Sequence, residues 1–261
     1  MTDATEANAA PSAKGVTLDP AEVDKFARDA EHWWAEDGPF APLHRINPIR
    51  IGFLRDVIAS HYGRAPTDNA PLEGLRVLDA GCGGGLVAEP LARLGARVTA
   101  LDASEDTLRT AKAHSLAQGL DIDYRNALVE QLLEAGEAPF DAVLSLEVVE
   151  HVAEPEVYLQ TCARLVKPGG VFVLSTLNKT LKSLALGVAA AEYVLGWVPK
   201  GTHDWRRFLA PGAAARTLRS AGLTPDKPVG MSFSPVSGWR LSLDTSINYF
   251  LTASRPEAAR A

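Results

Sequence analysis

The chain has little cysteine, no excess of positive charge and no apolar run long enough to cross a bilayer. Its 261 residues include only Cys82 and Cys162, too few for a disulfide framework. The N-terminal stretch MTDATEANAAPSAKG lacks the basic and apolar blocks of a secretory signal, so a reducing, cytoplasmic setting is expected. Lys and Arg number 26 against 32 Asp and Glu, and a net charge of −6 gives no general attraction to phosphate backbones. Nucleic acid is therefore not an expected partner.

The longest apolar candidate, Leu181 to Val198, carries Lys182 and Glu192. It falls short of the roughly 20 residues that a membrane-spanning helix needs. Residues 1–18 and 255–261 are poor in large apolar side chains and are expected to be mobile ends of one domain spanning 19–254.

What the sequence does have is alternation. After a helix capped by Asp19 and Pro20, a Pro-rich loop GPFAPLHRINPIR precedes a second helix around Ile49 to Tyr62, with Ile51, Leu54, Val57 and Ile58 on one face. Short apolar runs then alternate with helical stretches: RVLDAG, a helix near Leu86 to Leu94, RVTALD, a helix near Asp106 to Gln118, and IDYRNA. A weak helical stretch, FDAVLSLE, a helix near Pro155 to Leu165, and GVFVLST follow. This order predicts right-handed crossovers and a largely parallel sheet covered on both faces. Ala210 to Ala221 reads as another helix, and Trp239 to Ala253 as antiparallel edge strands.

The most informative segment is Val77-Leu78-Asp79-Ala80-Gly81-Cys82-Gly83-Gly84-Gly85, an apolar strand that breaks into glycines just before a helix. Such a turn lets a ligand approach the backbone at the carboxyl end of the strand. The second strand ends in Asp102, about 20 residues beyond the first glycine, where a carboxylate can accept from two ribose hydroxyls. Spacing alone does not choose the nucleotide, since Gly83, Gly85 and Ala88 also satisfy the G-x-G-x-x-A fingerprint of NAD-binding proteins. Asp79 helps to separate the readings. A carboxylate there repels a pyrophosphate, yet suits a ligand that carries a sulfonium and an ammonium.

LDAGCGGG, Asp102 and LVKPGGVFVLST resemble the class I S-adenosylmethionine-dependent methyltransferases. PLHRINPIR, LDAGCGGGLVAEPLARLGARVTALD, EVVEHV, ARLVKPGGVFVLSTLN, AEYVLGWVPKGTHDW and INYFL are similar, over roughly Asp24 to Leu251, to the ubiquinone-biosynthesis O-methyltransferase family. The resemblance implies a Rossmann-like α/β fold with a mostly parallel seven-stranded sheet, N-terminal helices and an apolar helical insert over about 179–207. It implies S-adenosylmethionine held by Asp79, Gly81, Gly83, Gly85, Asp102 and Leu146, with Arg45 as a further contact. The implied substrate is a polyprenylated catechol or hydroxyquinol.

Glu147, Glu150 and His151 follow the strand VLSLE at spacings that share one face if a helix begins there. Three roles are open to them. They could form a capping, solvated face; they could ligate Mg²⁺, Mn²⁺ or Zn²⁺; or His151 could act as a catalytic acid or base. The family resemblance favours the metal. A substrate with a prenyl tail would arrive from a bilayer, so Leu184 to Trp197 is either a core helix or one lying in a membrane interface, which would place the protein at the inner face of the membrane. Three alternatives to quinone-precursor methylation stand beside it: methylation of a small soluble phenol, NAD(P)-linked oxidoreduction, and a silent scaffold that assembles a quinone-biosynthesis complex.

Overall fold

The computed structural model describes residues 17–184, 205–234, 236 and 238–257. The insert read over 179–207 falls largely on 185–204, outside the described residues. Helix α1 (Pro20–Ala27) starts where its residues dictate: the Asp19 side chain accepts from the Ala21 amide at 3.1 Å, and Pro20 occupies the first turn. Helix α2 spans Ala41–His61. It begins within the stretch that the prolines mark as a loop. Pro42 sits in its first turn, where a missing N–H costs nothing, and Pro48 is carried inside the helix. Packing overrides the proline because Phe53, Leu54, Ile58 and Ala59 are buried on the sheet, with Ile46 and Ile49 beside them. Burying one such leucine stabilises by roughly 1.5–3 kcal/mol.

The alternating part follows in order: β1 (Arg76–Ala80), α3 (Ala88–Arg93), β2 (Arg97–Asp102), α4 (Glu105–Ala117), β3 (Asp123–Asn126), α5 (Val129–Glu134), β4 (Phe140–Leu146), α6 (Pro155–Leu165), β5 (Val166–Leu177) and α7 (Pro211–Ser220). Four short strands close the fold: β6 (Thr224–Pro225), β7 (Gly230–Ser234), β8 (Gly238–Ser242) and β9 (Asn248–Ser254). The seven-stranded sheet has the order β3-β2-β1-β4-β5-β9-β6, parallel except where β9 runs against both neighbours. The tail expected to form edge strands divides. β9 lies inside the sheet between β5 and β6, while β8 leaves it to pair with β7 as a separate hairpin. Both faces of the sheet are covered, so its strands read as continuous apolar runs: Val77 joins the core with Leu54 and Leu91, and its neighbour Leu78 joins the one with Leu159 and Leu218.

Crossovers run outward in opposite senses from β1 and β4, which are paired neighbours. Between strands that diverge in this way a crevice opens at their carboxyl ends. The glycine turn after β1, Asp102 at the end of β2 and Glu147 at the end of β4 all meet it.

Candidate active site

The turn after β1 is held by β2. The amides of Gly81 and Cys82 both donate to the Leu101 carbonyl at 2.8 Å. Gly83 has a φ of 52°, and a Cβ there would overlap the Trp33 ring, so glycine is required for both backbone and space. Asp102 grips the same turn. One oxygen accepts from the Gly83 amide and the other from the Ser104 amide, each at 2.9 Å. Each oxygen keeps acceptor capacity for a further donor. Burial raises the Asp102 pKa, and the amide donors oppose that rise.

Beneath the turn, Arg50 joins Asp79, Glu147 and Glu150, a partner for these carboxylates that their spacing does not point to. Arg50, from α2, is 3% exposed, and its guanidinium stands 3.8 Å from the Glu147 carboxylate, with Asp79 and Glu150 in its field. Asp79 is 2% exposed, and burial pushes its carboxyl up to about 7, with Asp102 adding to the rise and Arg50 opposing it. One Asp79 oxygen and the Arg50 Nε have no hydrogen-bond partner among the described residues. Arg45, to which the sequence pointed, is exposed on α2 and reaches the rim of the same cavity. The signal for Arg50 was present: Ile46, Arg50 and Leu54 follow at i, i+4 and i+8, which puts a charge in the buried stripe of a helix.

Glu147, Glu150 and His151 do not share the face of an α-helix. Glu147 takes a φ of 55°, a left-handed conformation that a non-glycine residue adopts at a cost of about 1–3 kcal/mol, and only a 3-10 turn over Val149–His151 follows. Glu147 accepts from the Ser175 hydroxyl at 2.6 Å. Glu150 is 3% exposed and accepts from the Thr176 hydroxyl at 2.9 Å, while its other oxygen has no partner among the described residues. Burial and the neighbouring Glu147 hold the Glu150 carboxyl well above the usual carboxylate range. His151 is engaged by α1 instead, with Nδ1 2.8 Å from Glu22 Oε2. Among the described residues no group of three or more His, Cys, Asp or Glu side chains is arranged to hold a metal ion.

The tryptophans that end the first helical stretch cover the turn. Trp33 stacks on Phe40 with ring centroids 3.8 Å apart and lies against Gly83 and Gly84. Trp34 donates to the Gly84 carbonyl at 3.0 Å and stacks on His114, itself 2.6 Å from the fully buried Glu89. These contacts close one side of a cavity of about 1050 Å³. Asp79, Gly81, Gly83, Asp102 and Leu146 line one part of it, and Gly85 supports the turn from behind, where a Cβ would meet Tyr124. Phe40, Leu43, Ile46, Met231, Phe233 and Trp239 line an apolar, aromatic part, and Glu22, Arg50, Glu147 and His151 also face the cavity. Small-molecule sites run to roughly 300–1,000 Å³, so this one has room for two ligands side by side.

Residues 78–174 match the methyltransferase domain family. Among solved structures, the chain is similar to the magnesium protoporphyrin IX methyltransferase of Synechocystis PCC 6803 with bound SAH. The two share a TM-score of 0.61 and 22% identity over 89% of this chain and 94% of that one, which shows a common fold. Curated relatives are much nearer. The ubiquinone biosynthesis O-methyltransferase of Maricaulis maris is 51% identical over 92% of this chain and 94% of its own length, and that of Caulobacter vibrioides is 50% identical over 95% and 98%. At that identity and coverage, with the glycine turn, Asp102 and the crevice in place, the chain belongs to the ubiquinone biosynthesis O-methyltransferase family.

Proposed function

We propose that this protein transfers the methyl group of S-adenosylmethionine to a hydroxyl of a polyprenylated catechol or hydroxyquinol in ubiquinone synthesis. The observation that carries the reading is the single cavity that joins the glycine turn and Asp102 to an apolar, aromatic end. In this reading Asp102 accepts from the ribose hydroxyls, and Asp79 faces the ammonium of the methionine moiety. Arg50 rather than Arg45 serves its carboxylate, because it is the buried guanidinium beside Asp79.

Methyl transfer is an in-line displacement at the sulfonium carbon, so the protein must align the acceptor oxygen and exclude water. Trp33 and Phe40 exclude water on the cofactor side. The acceptor must also lose a proton. With Glu22 accepting from Nδ1–H, the His151 imidazole carries its lone pair on Nε2, the nitrogen a general base needs. A divalent ion would supply positive charge that lowers the hydroxyl pKa. Glu147 and Glu150 would hold such an ion as a carboxylate pair with one oxygen unpartnered, and Nε2 is the atom His151 would offer it while Nδ1–H stays on Glu22.

The apolar end opens towards exposed hydrophobic side chains. Phe233 is half exposed, Leu241 is exposed, and Val236 and Leu243 are almost wholly so, with Leu181 nearby through the Lys182–Asp244 ion pair at 2.7 Å. Contact with a membrane surface belongs to the same reading, since a prenyl tail must leave the cavity somewhere apolar. No helix among the described residues is long and apolar enough to cross a membrane. The test is turnover by the purified chain with prenylated and unprenylated catechols: the reading expects a lower KM with the tail, and equal kcat/KM for the two would favour a soluble phenol.

A further inference from the structure

Helix α1 has no fully buried residue, yet it lies over the cavity and is tied down by polar contacts to distant parts of the chain. Asp19 pairs with Arg207 at 2.8 Å. The Thr17 hydroxyl donates to Glu130 at 2.6 Å, and the Thr17 carbonyl accepts from the Ala153 amide at 2.8 Å. Two side chains one helical turn apart on α1 reach His151. Glu22 Oε2 is 2.8 Å from Nδ1, and the Phe26 ring stands nearly perpendicular to the imidazole with centroids 5.1 Å apart.

We infer that Glu22 is a positioning residue for the reaction: its carboxylate, carried on α1 across the cavity, fixes the tautomer and ring orientation of His151. The inference rests on the proposed role of His151. The local backbone does not set the ring by itself, because His151 ends a three-residue 3-10 turn and Val152 is already extended. A neutral imidazole has two tautomers of similar energy in water, and an acceptor at Nδ1 selects the form with the proton on Nδ1 and the lone pair on Nε2. Phe26 then limits rotation of the ring.

The test compares Glu22→Ala, Glu22→Gln and Asp19→Asn in the full chain, reading steady-state rates and the ¹⁵N shifts of the His151 ring. Glu22→Ala should lower kcat about 10- to 100-fold, as lost supporting hydrogen bonds to functional imidazoles do. The KM for S-adenosylmethionine should stay within about twofold, and the ring shifts should move to a tautomer mixture. Glu22→Gln, which keeps an oxygen acceptor, should recover part of the rate and the original shifts. Asp19→Asn loosens the helix without touching the imidazole and should lower kcat less. Unchanged ring shifts in Glu22→Ala, or a loss of kcat no greater than that of Asp19→Asn, overturns the inference. If His151→Ala retains the full rate, the role assigned to His151 fails, while the ¹⁵N shifts still decide whether Glu22 orients the ring.

Discussion

Arg50 and Glu147 stand 3.8 Å apart although one lies in the second helix and the other at the end of the fourth strand. Their approach brings the one guanidinium that is buried among the described residues against three acidic side chains, Asp79, Glu147 and Glu150. Removing it would leave those groups without compensation, which for buried pairs costs about 3–5 kcal/mol. Arg50→Ala should therefore lower thermal stability sharply, and in whatever fraction folds it should weaken cofactor binding by about 1.5–3 kcal/mol. Arg45→Ala should change both little. Calorimetric titration of the two variants checks the assignment, and equal effects would remove Arg50 from the site.

Asp102→Ala should weaken cofactor binding by about 1.5–3 kcal/mol, the range for hydrogen bonds to charged groups. The Gly83 and Ser104 amides also lose their acceptor. The fold should persist, because the Leu101 carbonyl still holds the turn through the Gly81 and Cys82 amides. A folded variant of unchanged affinity would refute the ribose assignment.

Cofactor affinity should depend on pH through Asp79, whose carboxyl sits at about 7. The ammonium of the ligand favours the carboxylate, so below pH 7 binding must expel a proton and affinity should fall by up to about tenfold per unit. Above pH 7 it should level off. In the unliganded protein the sign reverses. The folded state binds this proton more tightly than the unfolded chain, so the contribution of Asp79 to stability falls as pH rises from the ordinary carboxylate range to about 7. Asp79→Asn should flatten both profiles, measured by titration and by thermal melts at pH 5 and 8.

His151→Ala should lower kcat about 10²–10⁴-fold if the imidazole takes the acceptor proton, with turnover insensitive to chelators. If a cation between Glu147 and Glu150 carries that role, a chelator should abolish turnover and added divalent ion should restore it. Full rates in chelator for single Ala variants of Glu147, Glu150 and His151 would leave these residues a structural part.

Phe233→Ser together with Trp239→Ser should raise the KM for a prenylated catechol at least tenfold while leaving that for an unprenylated one within about twofold. Loss of vesicle binding in the same variant would tie the hairpin to a lipid surface. A parallel rise for both substrates would show that these rings contact the head group rather than the tail.

The centre of the sheet was legible because β1, β2 and β4 are short apolar runs, and the start of helix α6 was legible because Pro155 fixes it. The glycine turn, Asp79 and Asp102 were legible for the same reason, being local in sequence. Three features were hidden by long-range packing. Helix α2 runs through Pro48 because its buried stripe outweighs one lost hydrogen bond. Glu147 adopts a left-handed backbone that breaks the helical spacing on which its grouping with His151 rested. Glu22 reaches the site only through the tertiary fold and leaves no trace in short-range periodicity, whereas Arg50 shows there only as a charge in the buried stripe of α2.

The ties of α1 also bear on how the molecule comes into being. Asp19 to Arg207, Glu22 to His151 and Thr17 to Glu130 close over 188, 129 and 113 residues, so a segment made early on the ribosome waits for partners made late. Closing such long loops is slow, and each tie forms only after the sheet has fixed its far end. The catalytic mouth should thus be the last region to acquire amide exchange protection during refolding and the first to lose it on mild destabilisation, with the strands of the sheet protected throughout.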